Sequence, residues 1–514
     1  MSVLATFFEY LLQNGTPSNA AKVLLAVMAY YTFKYRSHAI GTRRRLDLKQ
    51  PKGAVPLLGH LPLLATVPMS ELYDFFVKQY NELGPVWSIS LPGLGRIVQI
   101  DTPENLEHVL KTNVANYPKG PLFLSLLANT FGHGVFTTEG PKWKPQRQIV
   151  VSVFNSRALR DYTTNVFVVE AKKVVEIFGK AADEGTVIDF QSVMLNFTMD
   201  SFGGAAFGKS FGCLENLDKV VPYAAAIDDL LENAANRLKN PLWRITEHLD
   251  GTRKHVLHSN HLFRSHAKEI LDKRRKEGNH SGKSDFVQLF MDGRDDEGNG
   301  MSDDLIIDNI MTFMIAGRDS TAHALTWMFY LLLRDSTDKD IMAKLVSEVD
   351  ELHRGADPTY ESHKKQKYTD ACLHEALRIF PVAPRNLRYC DNDDTLPDGT
   401  KVYKGEYVAW SSYVMGRSEA LWGIDAKEYR PSRWINTEKP SPTKFNSFHA
   451  GPRVCPGQQF AINESLTIIS MIFQSFNLEL EDPSRVPAYR PSLAFPMIDG
   501  LNIRVTRRSK ANAL

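Results

Sequence analysis

The stretch FHAGPRVCPG at Phe448–Gly457 is followed at once by a long apolar pattern with helical spacing. Cys455 is therefore expected just before a helix N-terminus, where free N–H groups and the helix dipole favour a thiolate. Gly451 and Gly457 have no Cβ, so the backbone can approach a flat ligand closely there. Arg453 can form a bidentate pair with a carboxylate such as a haem propionate. A cysteine thiolate is also a haem ligand that favours oxygen activation.

A lone cysteine is more often a small buried apolar residue than a metal ligand. The residues around Cys455 change this interpretation, because together they form the pattern FxxGxRxCxG, which begins at Phe448. This pattern closely resembles the haem-binding signature of the cytochrome P450 family. The resemblance implies a mainly α fold with a small β subdomain, and haem b (iron protoporphyrin IX) with Cys455 as its axial thiolate. It also implies that Phe448, Gly451, Arg453 and Gly457 bind the haem.

A second motif, AGRDST at residues 316–321, lies midway along an apolar helical pattern from about Ser302 to Arg334. Ser302 is a suitable N-cap for this helix. The Ser320 hydroxyl can bond to the Ala316 carbonyl, which loosens and bends a helix. We therefore expect a widened turn with room for oxygen and water, although a core helix with a polar kink would show the same pattern.

Beside the cysteine motif, the AGRDST segment resembles the oxygen-activating groove of cytochrome P450 enzymes. The resemblance implies that Asp319 and Ser320 deliver protons during catalysis and that Thr321 supports the water network. Many relatives have threonine where this chain has Ser320, and serine keeps the hydroxyl group but lacks the methyl group.

A third motif is the sequence ExxR formed by Glu375 and Arg378. Residues at positions i and i+3 share a helix face, so the two charges can pair, as they often do on exposed helices. The later segment at 429–434 resembles the PxR segment of the family, and Arg433 would complete a triad with Glu375 and Arg378. The resemblance implies a structural role for this triad, which would hold the loop that presents Cys455.

Three further side chains are candidates for the haem propionates. Trp143 and Arg147 are four residues apart and therefore lie on one face of a helix. The pair is similar to the WxxxR pair that the family places against a propionate, although amphipathic helices often show such pairs. Arg388 is the third candidate.

Three local segments resemble the fatty-acid and alkane ω-hydroxylase branch of the family, whose fungal members also share closely the sequence of 448–461. They are FGHGVF at Phe131–Phe136, AGRD at Ala316–Asp319 and WGIDA at Trp422–Ala426. The resemblance implies an apolar pocket beside the haem, which would stabilise a bound alkyl chain by about 0.8 kcal/mol per buried CH₂. No polar residue for a substrate carboxylate is identifiable. The candidate pocket residues are Phe131, Phe136, Phe313, Ala316, Val382, Ala383, Phe495 and Met497, together with the stretch Leu122–Leu127.

The bulk composition limits the class of protein. The 514 residues, 43% of them hydrophobic, can build two or three ordinary domains or one large one. A net charge of +2 argues against nucleic acid as a partner. The cysteines lack paired spacing, which argues against a disulfide framework and fits a reducing compartment. They are Cys213, Cys372, Cys390 and Cys455.

Two apolar stretches near the N-terminus, Val3–Leu12 and Ala20–Phe33, are each shorter than the roughly 20 residues of a clean membrane span. Basic residues follow these stretches, which favours a membrane anchor over a cleaved signal peptide. One span, two spans and an interfacial segment all stay open. We predict an anchor and basic linker over 1–50 and a catalytic domain over 51–514 that faces the cytosol at the endoplasmic reticulum membrane. The basic residues are Lys34, Arg36, Arg43, Arg44, Arg45 and Lys49.

The remaining pattern predicts strands at Val86–Leu91 and Arg96–Ile100, then mainly helices to about Arg378. Two loops are expected, at Gly278–Ser284 and Asp292–Asp304. Short strands and turns should follow, apart from the helix after Cys455. The last strand is expected at residues 500–505.

We expect the electrons to come from a separate protein, since the roughly sixty residues after Cys455 are too few for flavin domains. The resemblance implies an NADPH-dependent P450 reductase as electron donor, with cytochrome b5 as a second candidate partner. It predicts a haem-thiolate monooxygenase that hydroxylates a fatty acid, an alkane or another lipophilic substrate. The alternatives are a sterol, terpene or xenobiotic substrate, rearrangement of a peroxide, or haem binding without catalysis.

Overall fold

The computed structural model describes residues 17–508 except 156, 218, 220, 241, 279–284 and 295–296. The described chain is mainly helical, and its longer helices surround one that we name the central helix, Asp303–Leu333. The other long helices are Pro17–Lys34, Leu72–Leu83, Gly120–Phe131, Trp143–Asn155, Arg157–Glu184, Phe190–Phe207, Pro222–Lys239, Thr252–Glu277, Lys339–His353, Lys367–Ile379 and Gln458–Ser475. The shorter helices are Leu61–Ala65, Pro103–Glu107, Trp243–Leu249, Phe286–Asp292, Tyr360–His363, Ser412–Gly416 and Glu419–Trp422.

The strands form small sheets beside this helical body. The largest has the order β1-β2-β7-β4, in which β2 and β7 are parallel and the other neighbours are antiparallel. The first two strands agree with the prediction, and the last strand begins two residues later than expected. The strands are β1 Val86–Leu91, β2 Gly95–Ile100, β3 Val187–Asp189, β4 Asn386–Tyr389, β5 Asp394–Thr395, β6 Lys401–Val402, β7 Tyr407–Trp410, β8 Phe476–Leu480 and β9 Asn502–Arg507.

The central helix begins as the sequence predicts. The Ser302 side chain accepts the backbone N–H of Leu305 at 3.3 Å, and acidic residues occupy the first turn. The helix remains α-helical from Asp303 to Leu333, so the widened turn that we expected at 316–321 is absent. A Cβ at Gly317 would overlap the Phe202 ring. The small residue therefore allows Phe190–Phe207 to pack closely against the central helix.

The FGHGVF segment is fixed to the start of the central helix. The Asp308 carboxylate accepts the backbone N–H of His133 at 2.8 Å, and the Asn309 side chain accepts that of Val135 at 2.9 Å. Gly132 has a φ of 50°, and a Cβ there would overlap the Asp308 carboxylate. These contacts fix where Phe131 and Phe136 lie.

The N-terminal helix Pro17–Lys34 carries exposed apolar side chains, among them Leu25 and Phe33. In the part of the chain that the structure describes, no helix is both long enough and apolar enough to span a bilayer. Val3–Leu12 of the predicted anchor lies outside the described residues. Arg45, expected in an exposed basic linker, is instead buried, and it bonds to Asp47 and to Glu406.

Candidate haem site

Cys455 lies at the end of a short turn directly before the helix Gln458–Ser475. Its backbone N–H donates to the Phe448 carbonyl at 2.9 Å. Its side chain keeps accessible surface, yet the surrounding protein is dense enough for burial to raise the pKa of the thiol, against the Gly457 N–H and the Arg147 charge. The helix start alone therefore does not favour a thiolate, contrary to our expectation. A bound metal ion would deprotonate the thiol.

The backbone before Cys455 is held against another part of the chain. Gly451 has a φ of 68°, and a Cβ there would overlap the Leu110 carbonyl oxygen. The Leu110 backbone of the protein itself therefore excludes a side chain at Gly451. At Gly457 a Cβ would lie in ordinary contact with Phe154, so space alone does not require glycine there.

The ExxR motif forms a buried and fully bonded cluster. The Arg378 guanidinium donates to both carboxylate oxygens of Glu375 at 2.8 Å, and both side chains are 0% exposed. Arg433 Nε lies 3.3 Å from Glu375 Oε1, so the predicted triad is assembled in the structure. The Trp434 indole also donates to Glu375, at 2.9 Å. The remaining Arg378 donors reach three backbone carbonyls, those of Gly416, Ala426 and Glu428.

The arginines predicted for the propionates hold the cysteine loop through backbone and side-chain contacts. Arg147 donates to the Val454 carbonyl at 2.6 Å. Arg453 pairs with Glu139 at 2.5 Å and lies 4.0 Å from the centre of the Trp143 ring. Both members of the WxxxR pair therefore contact the cysteine loop. Arg147 bonds to Val454, and Trp143 packs against Arg453.

Arg388 donates from Nη2 to His449 Nε2 at 3.0 Å, and His449 Nδ1 lies 2.8 Å from the Ala450 carbonyl. These contacts require a neutral imidazole that carries its proton on Nδ1. Burial and the nearby Arg388 charge lower the pKa of His449 to about 3, which agrees with this assignment.

Positive charge is in excess at this edge of the site. Burial lowers the pKa of Arg388 to about 10, and the Arg453 charge adds to the effect. The pKa of Lys119 falls well below its usual value, because of burial first and then of both arginines. Glu139 is the acidic residue that opposes these shifts. A ligand that brings two carboxylates would neutralise the cluster.

Asp319 and Ser320 of the central helix have different bonding partners. The Ser320 hydroxyl donates to the Ala316 carbonyl at 2.7 Å, as predicted. Asp319 is buried and pairs with Arg318 at 3.0 Å, and Arg318 also pairs with Asp228 on Pro222–Lys239 at 2.6 Å. Burial raises the pKa of Asp319 to about 6, although the Arg318 charge opposes this shift. Asp319 can therefore hold or release a proton near neutral pH.

Thr321 has a different environment from the one we expected. It lies close enough to Glu464 on Gln458–Ser475 to lower the pKa of that carboxyl group, and Glu464 accepts a hydrogen bond from Ser201. Both Thr321 and Glu464 are buried. The structure therefore places Thr321 at a contact between helices.

Exposure separates the candidate pocket residues into two groups. Ala316 is exposed and Ser320 is partly exposed in a helix that is otherwise almost entirely buried, which marks open space inside the protein. Val382 and Ala383 are partly exposed as well, and Phe136 is 37% exposed.

Other candidates lie in the core, and for them the pocket assignment is corrected. Phe313 packs against Phe154, Phe286 and Phe290. Phe495 is fully buried among aromatic rings, and Met497 is buried with its backbone bonded to Gln191. Phe131 is buried in contact with Phe136.

The site fits an iron porphyrin on three observations. A thiol with accessible surface can supply the axial ligand, and accessible atoms of Ala316 and Ser320 leave space in an otherwise buried helix. The excess positive charge around Arg388 suits two propionates.

Comparison with known proteins agrees with this geometry. The model of the family described as Cytochrome P450 matches residues 49–499. The chain belongs to the cytochrome P450 family. It is 33% identical to Cytochrome P450 monooxygenase cyp1 of Mycosarcoma maydis over 93% of this chain and 78% of that protein. It is 33% identical to Cytochrome P450 CYP94D109 of Paris polyphylla over 94% of this chain and 95% of that protein.

It is also 31% identical to Cytochrome P450 94B1 of Arabidopsis thaliana, over 82% of this chain and 84% of that protein. Family membership identifies the chain as an oxidoreductase, a haem-thiolate monooxygenase of the cytochrome P450 fold. Such an enzyme takes electrons from a separate redox partner and acts on a lipophilic substrate.

Several residues of the site were missed by sequence reasoning. Lys119 and Glu139 lie at the cationic edge, and His449 is inside the signature but was read only as a spacer. Asp228 reaches the central helix from a distant helix. His449 could have been found from its place beside the cysteine motif. For the other three no local pattern signals the contact.

Proposed function

We propose that this monooxygenase hydroxylates fatty acids or alkanes toward the end of the alkyl chain. The observation that carries the proposal is the juxtaposition within one helix of an open apolar surface at Ala316 and the acid–alcohol pair Asp319 and Ser320. An apolar surface binds an alkyl chain without polar penalties. The resemblance of 131–136 and 422–426 to the ω-hydroxylase branch supports the same substrate class.

In this proposal the cofactor is haem b, held by Cys455 and by the cationic edge at Arg147, Arg388 and Arg453. The haem supplies oxygen activation when bound and reduced. The electrons come from an NADPH-dependent P450 reductase, with cytochrome b5 as a second donor. The partner docks over the face that carries Cys455.

The protein's own contribution to the chemistry is proton handling and substrate orientation. Asp319 can exchange a proton near neutral pH, and the Ser320 hydroxyl can relay it toward the open space at Ala316. We propose that Asp228, through Arg318, keeps the Asp319 carboxylate in place.

Two exposed apolar surfaces support a membrane location. The helix Pro17–Lys34 exposes Leu25 and Phe33, and the helix Trp243–Leu249 exposes Ile245 and Leu249. We propose that the enzyme associates with the endoplasmic reticulum membrane through these surfaces, with the catalytic domain, over 51–514, in the cytosol. Replacing Ile245 and Leu249 by serine should reduce co-sedimentation with vesicles, and unchanged co-sedimentation would exclude a role for that helix.

The substrate class is tested with full-length holoenzyme, reductase and NADPH. Palmitic acid, lauric acid and hexadecane are compared with a sterol and a terpene, and products are identified by mass spectrometry. The proposal expects alcohols oxidised near the chain end. Clear turnover of the sterol or terpene, with no lipid product, would reject the lipid substrate and keep the monooxygenase.

The proton route is tested with Ser320→Ala, and Ser320→Thr serves as the matched control that keeps a hydroxyl. We expect the alanine variant to form more peroxide for each product molecule, while the threonine variant behaves like the wild type. An unchanged ratio in the alanine variant would exclude Ser320 from proton delivery.

A further inference from the structure

Arg385 is a partly buried arginine, and two of its three side-chain nitrogens are buried without a hydrogen-bond partner among the described residues. It lies directly before β4 and two residues after Ala383, which is partly exposed. Its guanidinium lies 4.5 Å from the centre of the Phe76 ring. Nε and Nη2 are both buried, and neither has a hydrogen-bond partner among the residues that the structure describes. Buried guanidinium donors normally bond to a carboxylate or a carbonyl, so two vacant donors indicate a missing acceptor.

The nearest acidic residue does not supply that acceptor. Asp101 accepts the backbone N–H of Ser411 at 2.7 Å, and no ion pair joins it to Arg385 within the described part of the chain. Burial raises the pKa of Asp101 to about 7 and lowers that of Arg385 to about 10. At neutral pH Arg385 therefore keeps its charge, whereas Asp101 is only partly ionised.

Other polar groups on the same face of the sheet are also unpaired. Trp87 on β1 lies opposite Gln99 on β2, Gln99 lies beside Ala409 on β7, and Ala409 lies opposite Leu387 on β4. The alternation of side chains places Arg385, two residues before Leu387, on this face. Trp87 Nε1 and both amide atoms of Gln99 have no partner among the described residues.

Other buried arginines are better satisfied. Arg96 and Arg274 each leave only Nε unpaired, and Arg378 donates to a carboxylate and three carbonyls. Arg385 therefore stands apart as a cation with two unpaired donors, next to the Phe76 ring and close in sequence to the partly exposed residues Val382 and Ala383.

We propose that Arg385 binds the carboxylate of a fatty-acid substrate. This inference rests on the proposed lipid hydroxylation and specifies an acid rather than an alkane as the preferred substrate. Nε and Nη2 have almost no accessible surface, so binding requires the guanidinium to turn toward the accessible side of the residue. Its fork then matches a carboxylate bidentately, and the apolar chain extends past Val382 and Ala383. A carboxylate held at Arg385 fixes the acid end of the chain, so oxidation is expected on the part of the chain that reaches Ala316.

The test measures binding to purified full-length holoenzyme from the haem spin-state absorption change. Palmitic acid and its methyl ester are titrated separately, because they share the chain and differ in the charge. The variants are Arg385→Gln and Arg385→Lys. The matched control is Arg490→Gln, which removes an exposed arginine that pairs with Glu232 at 3.3 Å. The reduced carbon monoxide spectrum gives the concentration of intact enzyme in every sample.

We expect Arg385→Gln to weaken palmitic acid binding about 10- to 100-fold, as for loss of a charge-assisted hydrogen bond, and to change the binding of the ester by less than about 3-fold. Arg385→Lys should retain part of the acid affinity, and Arg490→Gln should change neither ligand. Equal weakening of acid and ester would show a structural role and overturn the proposal.

The two proposals fail in different ways. Wild-type binding of both lipids, with no effect of Arg385→Gln on the acid, overturns the role of Arg385 and leaves the lipid substrate intact. Absence of any spectral change with either lipid in the wild type overturns both.

Discussion

Arg378 and Arg385 lie on one continuous stretch of chain, the first buried and the second partly buried, and they are used in opposite ways. Arg378 is surrounded by acceptors, two from the Glu375 carboxylate and three from backbone carbonyls. Arg385 leaves Nε and Nη2 without a partner among the described residues and rests on an aromatic ring. A buried charge that has all its partners fixes the geometry around it, whereas one without partners leaves capacity for a ligand.

The same contrast extends to the two sides of the cysteine loop. The triad of Glu375, Arg378 and Arg433 holds the chain around Trp422 and Asp425 in a closed set of bonds. The edge at Arg388 and Lys119 instead holds excess positive charge against one acidic residue, Glu139. We infer that the first cluster is complete without a cofactor and that the second is completed by the propionates.

The largest effect is expected for Glu375→Gln. The change leaves the Arg378 charge buried without a carboxylate, which should lower the free energy of unfolding by about 3–5 kcal/mol. Urea denaturation of the holoenzyme, followed by haem absorbance, measures it. Glu419→Gln is the matched control, since Glu419 is half exposed and its ion pair with Lys427 spans 3.9 Å. A loss below about 1 kcal/mol would contradict the interpretation of a closed, mutually dependent cluster.

Glu464 is an intermediate case, because Oε1 accepts a hydrogen bond from Ser201 while Oε2 has no partner among the described residues. Burial raises the pKa of Glu464 from 4.5 to about 8. Between these two values the folded state binds a proton that the unfolded state has lost. The contribution of Glu464 to stability therefore falls as pH rises, by at most about 1.4 kcal/mol per pH unit.

Glu464→Gln removes this titration, so the variant should gain stability relative to the wild type as pH rises from about 5 to about 8. Urea denaturation at several pH values measures the difference, with the exposed Glu479→Gln as control. A difference that stays constant across this pH range would show that Glu464 is ionised in the folded protein.

The cationic edge is tested by Arg388→Gln. We expect little change in the stability of the protein without haem, because Arg388 has no carboxylate within its own hydrogen bonds. Haem release to a scavenging protein should become about 10-fold faster, since one charged donor to a propionate is lost. Arg490→Gln is again the control. Unchanged haem release would remove Arg388 from the set of haem-binding residues.

The sequence predicted contacts that depend on short spacing. The Glu375–Arg378 pair, the Ser302 cap and the Ser320–Ala316 bond follow from helix geometry alone, and each is present. Assignments that depend on which way an apolar residue points were less successful. Phe495 is as apolar as a pocket residue should be, yet it is fully buried in an aromatic core.

Charged residues that act together across the fold were also beyond local patterns. Lys119 and Arg385 are ordinary in sequence, and only the folded structure shows that both are desolvated. The close approach of Phe202 to Gly317 was also not visible in the sequence. The haem-binding motif around Cys455 was therefore predictable from the sequence, because the chemistry of a cysteine ligand restricts the residues around it. The residues of the substrate pocket were less predictable, because distant segments of the chain decide which side chains are buried.

The smallest effect is expected for Arg385→Met, and its comparison with Arg378→Met separates the two arginines most clearly. Replacing Arg385 by methionine removes a partly buried charge with two unpaired donors and keeps most of the apolar volume. The free energy of unfolding in the absence of lipid should therefore change by less than about 1 kcal/mol, in the stabilising direction. Arg378→Met should instead destabilise the holoenzyme by several kcal/mol, because it strands the Glu375 carboxylate. Urea denaturation of both variants, side by side, measures the difference. If Arg385→Met costs more than about 2 kcal/mol, Arg385 has structural partners and the two residues are the same kind of site.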